Sequence, residues 1–178
     1  MAVPQNRVAS ETFEDLALPL FDRLYSFAHW LTQNREEAED LVQETYAKAL
    51  KGFSSFQPGT NFRAWIYRIL RNVFLTSRSG LKERSFDNDD DEAKDANYAA
   101  DQHTPESILL ERLDQQLVHK ALDQLPVMYR EALLLCEFEE MSYQEISSTL
   151  GVPVGTVMSR LSRARRALRE NARRLQGG

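Results

Sequence analysis

Apolar residues recur at helical spacing through most of the chain. Between residues 11 and 33, Phe13, Leu16, Leu20, Leu24, Phe27 and Leu31 predict an amphipathic helix or helix pair, with Pro19 near a start or a kink. The next stripe is Ala38, Leu41, Val42, Thr45, Tyr46, Ala49 and Phe53. A wheel at about 100° per residue puts Asp40, Glu44, Ala47 and Lys51 on the opposite face, with Gln43 at its edge. Asn34 is a candidate cap for this helix, Glu36, Glu37 and Glu39 suit the positive end of its dipole, and Gly52 suggests its stop. A loop with Pro58, Gly59 and Thr60 follows, and Asn61 can cap the next helix. There Phe62, Ile66, Ile69, Leu70 and Val73 face inward and Arg68, Arg71, Asn72 and Leu75 face out, flanked by Trp65, Tyr67 and Arg78. One helix thus shows an acid-tinged face, and its neighbour shows a basic, aromatic one.

From Gly80 to Thr104 the periodicity disappears, and SFDNDDDEAKDANYAADQHT, acid-rich and poor in aliphatic residues, predicts a flexible linker. Thr104-Pro105-Glu106 restarts helix. Ile108, Leu109, Leu113, Leu117, Ala121 and Leu122 form a stripe ending at Leu125-Pro126. Met128, Ala132, Leu133, Leu135 and Cys136 form another. Ser142 to Glu145 has the spacing of a capping box, Gly151 permits a tight turn, and Pro153 opens the last helix. That helix buries Val157, Leu161, Ala164 and Leu168. Ser159, Ser162, Arg163 and Arg166 face outward, with Thr156, Met158, Arg160 and Arg165 nearer the edges. A short capped helix, a glycine turn and an arginine-rich helix make a helix-turn-helix. The expectation is an all-α protein with a first domain over 11–80, a linker over 81–104 and a second domain over 105–175.

The net charge of −5 looks wrong for a nucleic-acid binder until it is resolved along the chain. From Gly155 onward seven arginines face one acid, Glu170, a local charge of +6, while Asp87–Asp95 carries six acids against Lys94, a local charge of −5. Local charge governs attraction to phosphate. The lone cysteine, Cys136, excludes an internal disulfide framework and a cysteine-rich zinc site; among leucines it reads as a small core residue. His29, His103 and His119 are scattered and suggest no metal constellation. No nucleophile–base pair or phosphate-binding loop is present, so neither catalysis nor a cofactor is expected. The N-terminal residues lack the basic-then-apolar pattern of a signal peptide, and no apolar run approaches the length of a membrane span, so a cytoplasmic protein without membrane insertion is expected.

DLVQETYAKAL, the loop after Phe56 and NFRAWIYRILRN resemble regions 2.2 to 2.4 of bacterial sigma factors, the short two-domain extracytoplasmic-function (ECF) group above all. MSYQEISSTLGVPVGTVMSRLSRARRALRE resembles that group's promoter-reading helix-turn-helix. GTNFRAWIYRILRN and GTVMSRLSRARRALR are similar to sigma factors of the thiol-oxidative stress response. On residues alone, acids near a helix start are usually just solvated. The resemblance implies instead that Asp40, Gln43 and Glu44, with Ala47 on the same face, dock on the clamp helices of the largest subunit of core RNA polymerase. It further implies contact with the flap of the second subunit.

The resemblance also implies that the Ser54–Asn61 loop captures a base from the single-stranded −10 element. Gln57, Thr60 and Asn61 would supply polar contacts, and Arg63, Arg68, Arg71 and Asn72 would supply charge and hydrogen bonds. Trp65 is open to two readings, stacking on a base or packing in the protein. The last helix would read the −35 duplex, expected to be GGAA-like, through Thr156, Met158, Ser159, Arg160, Ser162, Arg163 and Arg166. Many relatives carry arginine where this chain has Met158; each bidentate pair to guanine so lost removes about 1–3 kcal/mol of discrimination. The linker is implied to thread through the polymerase, its acids imitating nucleic acid. An anti-sigma factor, often a zinc protein with redox-active thiols in the thiol-oxidative subgroup, is implied as the inhibitor. The alternatives are a stand-alone helix-turn-helix regulator of duplex DNA, which leaves residues 40–78 unexplained, and an interaction module built on the basic helix.

Overall fold

The computed structural model describes residues 11–79 and 115–178, and all regular structure among them is helical. The linker and the helical restart at Thr104-Pro105-Glu106, with Ile108, Leu109 and Leu113, lie outside the described residues.

Thr12 opens α1 (Phe13–Ala17) through a capping box with Asp15, and Pro19 sits in the first turn of a 3-10 segment, Leu18–Leu20, that leads into α2 (Phe21–Thr32). Gln33, in the left-handed conformation (φ 54°), closes α2. Asn34 caps α3 (Arg35–Gly52) by accepting from the Glu37 amide at 3.0 Å. Gly52 does end α3, but with φ −87°; the chain tightens into a 3-10 turn, Phe53–Ser55, rather than reversing through a left-handed glycine. Asn61 caps α4 (Phe62–Ser79), its Oδ1 accepting from the Ala64 amide at 3.1 Å.

The second domain comprises α5 (Gln115–Asp123), α6 (Val127–Leu133), a π-helical segment (Leu134–Phe138), α7 (Tyr143–Leu150) and α8 (Val154–Gln176). Its capping box has the expected residues: Ser142 Oγ accepts from the Glu145 amide and Glu145 accepts from the Ser142 amide. Pro153 is the N-cap of α8 rather than its first residue, and Val157, Leu161, Ala164 and Leu168 are buried as predicted. Asn171 joins them, donating from Nδ2 to the Ala121 carbonyl at 3.1 Å. Gly151 takes φ +68° at the end of α7. A Cβ there forces a left-handed L-residue, so Gly151→Ala is expected to lower stability by about 1 kcal/mol, read as a lower urea midpoint at unchanged slope.

The two domains pack on each other, with α4 against α7 and α2 against α6. Helix α4 is therefore covered on two sides, by α3 and by the second domain. This corrects its predicted faces. Tyr67, expected to flank the outer face, is fully buried and meets Phe27 edge-on at 5.2 Å, and Phe74 is buried too, whereas Ile69 is only half-buried.

At the seam, Arg130 is buried and its guanidinium donates to four carbonyls, those of Leu122, Asp123, Leu125 and, from the first domain, Leu31. The C-terminal ends of α2 and α5 both supply these acceptors, where the helix dipole favours a cation.

Candidate nucleic-acid and partner interfaces

Asp40, Gln43, Glu44 and Ala47 are all exposed and share one face of α3, because Leu41, Val42, Thr45 and Ala49 hold the opposite face in the core. Among the described residues Glu44 is paired only with Lys48 one turn on, at 3.2 Å in open solvent. On the α4 side of this face runs a groove lined by Thr32, Glu37, Asp40, Leu41, Glu44, Val73, Phe74, Ser77 and Arg78. Arg78 ties its two walls together through Glu37 at 2.9 Å. Beyond the other edge of the face, Leu50 is 57% exposed and Phe21 48%, an apolar margin that periodicity does not announce.

The loop and α4 bring the proposed −10 residues together, but not all into solvent. Gln57 and Thr60 are exposed and linked by Thr60 Oγ1 donating to the Gln57 carbonyl at 2.6 Å. Asn61 uses Oδ1 for its cap and Nδ2 for a 3.0 Å bond to Glu145 of the second domain. Arg68 and Asn72 are exposed. Trp65 is half-buried, its ring 5.2 Å from Phe56 and 5.4 Å from Phe62; the packing reading describes its contacts here.

Arg63 donates to both the carbonyl and the carboxylate of Glu139. Arg71 makes a bidentate fork to Glu131, at 2.9 and 3.0 Å. Glu131 is 1% exposed, and burial pushes its carboxyl up against the opposing pull of Arg71. Burial likewise raises the Tyr67 phenol, which lies beside Glu139.

On α8, Arg163 and Arg166 are exposed, and Thr156, Met158, Ser159, Arg160 and Ser162 are intermediate. Arg165 is turned inward to Glu137 at 2.9 Å and also approaches Cys136 Sγ at 3.7 Å. Cys136 therefore has an electropositive neighbour that its leucine-rich sequence context hides. Its thiol is nonetheless pushed up, by burial first and then by Glu137, which favours the protonated, unreactive form. Among the described residues no group of three or more His, Cys, Asp or Glu could hold a metal ion, and no helix is long and apolar enough to cross a membrane.

His119 of α5 stacks on Trp30 of α2 across the seam, ring centroids 3.7 Å apart and nearly parallel. Burial, with nearby His29, lowers its pKa below the ordinary value of 6.5. The neutral ring is thus favoured in the folded state, so its contribution is fully present above the unfolded pKa and is lost as pH falls below about 6.5. The thermal midpoint is expected to drop between pH 7.5 and 5.5. His119→Phe, which keeps a stacking ring, is expected to remove that component of the drop.

Sequence reasoning missed Arg130, Glu131 and Glu139 as seam residues, since charged side chains are normally assigned to solvent.

Comparison with known proteins bears on these faces. Residues 19–83 match the family model described as Sigma-70 region 2, and residues 115–168 match Sigma-70, region 4. The chain is 37% identical to the ECF RNA polymerase sigma factor SigE of Mycolicibacterium smegmatis over 93% of its own length, and spans 63% of that protein. It is also 37% identical to the ECF RNA polymerase sigma factor EcfG of Rhodopseudomonas palustris, over 89% of this chain and 84% of the relative. A solved structure of the sigma factor RpoE in complex with the anti-sigma factor NepR, from Bartonella quintana, superposes with a TM-score of 0.70 at 31% identity, covering 90% of this chain and 96% of that one. Two sigma-70 regions on two helical domains, together with these identities, place the chain in the sigma-70 family as an ECF sigma factor.

Proposed function

We propose that the chain binds core RNA polymerase through the outward face of α3, presents the 54–61 loop and α4 to the single-stranded −10 element, and reads the −35 duplex with α8. The observation that carries this reading is the pairing, in one chain, of an exposed acidic helix face with an arginine-rich helix behind a capped helix and a glycine turn. As a sigma factor the protein confers promoter specificity on another enzyme's active site and needs no catalytic set of its own. The exposed Asp40, Gln43, Glu44 and Ala47 suit the clamp helices of the largest subunit, and the second domain suits the flap of the second subunit.

The working place of such a protein is the cytoplasm, where its template lies. An anti-sigma factor holds it inactive; the Bartonella relative was solved in complex with one, NepR. We place the chain in the thiol-oxidative subgroup, whose anti-sigma factors often carry zinc and redox-active thiols, on the resemblance of GTNFRAWIYRILRN and GTVMSRLSRARRALR. The half-buried, protonated Cys136 supports a sensor that lies outside this chain. The acidic 81–104 segment is assigned to the interior of the polymerase.

The test is run-off transcription by core polymerase, with and without the protein, on a template with GGAA-type −35 and GTT-type −10 elements. A transcript only in its presence is expected. No transcript, with sequence-specific duplex binding by the protein alone, would establish the stand-alone regulator instead.

A further inference from the structure

Most apolar side chains of α8 have a structural use. Val157, Leu161, Ala164 and Leu168 are buried, and Ala167 and Leu175 pack against the core as partly buried neighbours. Met158 is different: it is half-buried but, among the described residues, does not pack against the core. It lies in the second turn of α8, and at about 100° per residue it stands at the edge of the outward face. The N-terminal turns of a recognition helix are the ones that reach base edges. Beside it toward that face, three residues back and four on, are Gly155 and Ser162. Small residues thus flank a long thioether chain on its outward side. Gly155 is exposed, its φ is not left-handed, and a Cβ there would meet no atom within 4 Å. Nothing in the folded chain requires glycine at this place, where alanine is the better helix former. Its missing Cβ leaves clearance on the outward surface.

The major-groove edges of the bases carry donors, acceptors and one apolar group, the C5-methyl of thymine. A thioether is a weak acceptor and no donor. Packed on the edge of guanine, cytosine or adenine, it takes a polar group out of water without returning a bond. Packed on a methyl it strands nothing and buries apolar surface, and its rotatable chain can follow the shape of the step. We propose that Met158 is a specificity-determining residue of the −35 contact that recognises the 5-methyl group of a thymine, with Gly155 and Ser162 giving it clearance. This rests on the assignment of α8 to the −35 duplex. A GGAA-type element carries thymines opposite its adenines, so such a methyl lies in the groove that the helix reads. Met158 therefore exchanges a guanine contact for a thymine contact rather than only losing one.

The test uses the full chain assembled with core polymerase and promoter duplexes in which each thymine of the −35 element is replaced, one at a time, by deoxyuridine, which lacks only the methyl. Promoter affinity is read by competition. One replacement is expected to weaken binding by the parent about fourfold, the worth of one buried methyl group. Met158→Ala is expected to bind that duplex and its thymine counterpart alike, and Met158→Leu, which keeps an apolar reach, to retain the sensitivity. At the same position a C·G pair should be bound more tightly when the cytosine carries a 5-methyl group, and Met158→Ala should remove that gain. Met158→Arg should lose the methyl sensitivity and favour guanine. The deoxyuridine series needs no variant of the protein, so it decides even if a substitution folds poorly. Promoter binding that depends on the −35 sequence but on no thymine methyl, or methyl sensitivity that survives Met158→Ala, overturns the role of Met158 and leaves the −35 assignment standing. Promoter binding indifferent to a scrambled −35 element overturns the assignment of α8, and the methyl contact with it.

Discussion

Asp40→Ala combined with Glu44→Ala is expected to reduce assembly with core polymerase about 100-fold, read as the concentration of protein that half-saturates run-off transcription. Truncating one partner of a charge pair that becomes buried at an interface costs about 2–5 kcal/mol, whereas a rim charge is worth little, so one desolvated acid of the two suffices for roughly 100-fold. The structure makes the result interpretable. Both side chains are exposed; among the described residues the Asp40 side chain makes no hydrogen bond or ion pair, and Glu44 has only the solvent-screened Lys48 pair. Alanine is also the better helix former at both sites. Stability should stay within about 0.5 kcal/mol of the parent. Lost assembly without lost stability identifies a docking face. Unchanged assembly would mean that these acids are only a solvated surface and that polymerase grips elsewhere, with the neighbouring Leu50 and Phe21 margin the next place to truncate.

Arg130→Ala is expected to destabilise the protein by about 3–5 kcal/mol, read by urea unfolding, with a thermal midpoint lower by roughly 10 °C. The substitution removes the guanidinium from the carbonyls of Leu31, Leu122, Asp123 and Leu125, and Leu122 keeps the Leu125 amide at 3.0 Å as a donor. It also removes the cation from the C-terminal ends of two helices. Arg130→Lys should recover only part of the loss, because an ammonium carries the charge but cannot reproduce the planar fork. Equal stability of the alanine and lysine variants would show that charge contributes nothing and that geometry alone matters. A loss below about 1 kcal/mol for Arg130→Ala would show that water replaces the guanidinium without penalty.

Much of the fold was legible because its signals are local. Asn34, Asn61 and the Ser142–Glu145 box cap helices through contacts three residues away, and Gly151 answers a backbone requirement at its own position. The stripes of α3 and α8 were legible because each of these helices buries a single face. Helix α4 was read less well for the same reason inverted. It is covered from two directions, so a one-sided wheel put Tyr67 toward the outside and left Phe74 unassigned. The seam was not legible at all. Arg71 and Glu131, or Arg63 and Glu139, are far apart in sequence, and nothing in composition distinguishes a charge that will meet its partner across a domain boundary from one that stays in water. The candidate site shows the same division. Positions on the α3 face follow from periodicity, whereas the pairing of Arg63 and Arg71 with carboxylates depends on how two domains meet.

The π-helical turn at Leu134–Phe138 fixes that meeting in phase. Its Glu139 amide reaches back to Leu134 and the Met141 amide to Leu135, wider spans than an α-turn makes. Here the helix carries extra chain per turn and so advances the angular position of everything after it. That offset leaves Phe138 partly exposed against the Trp30 ring and turns Glu139 inward to Arg63 and Arg23. Removing one residue would restore ordinary winding and swing Glu139 by about 100° around the axis. A sequence in this stretch can therefore vary in composition more freely than in length: the segment is a ruler, and its count sets which acid faces the first domain.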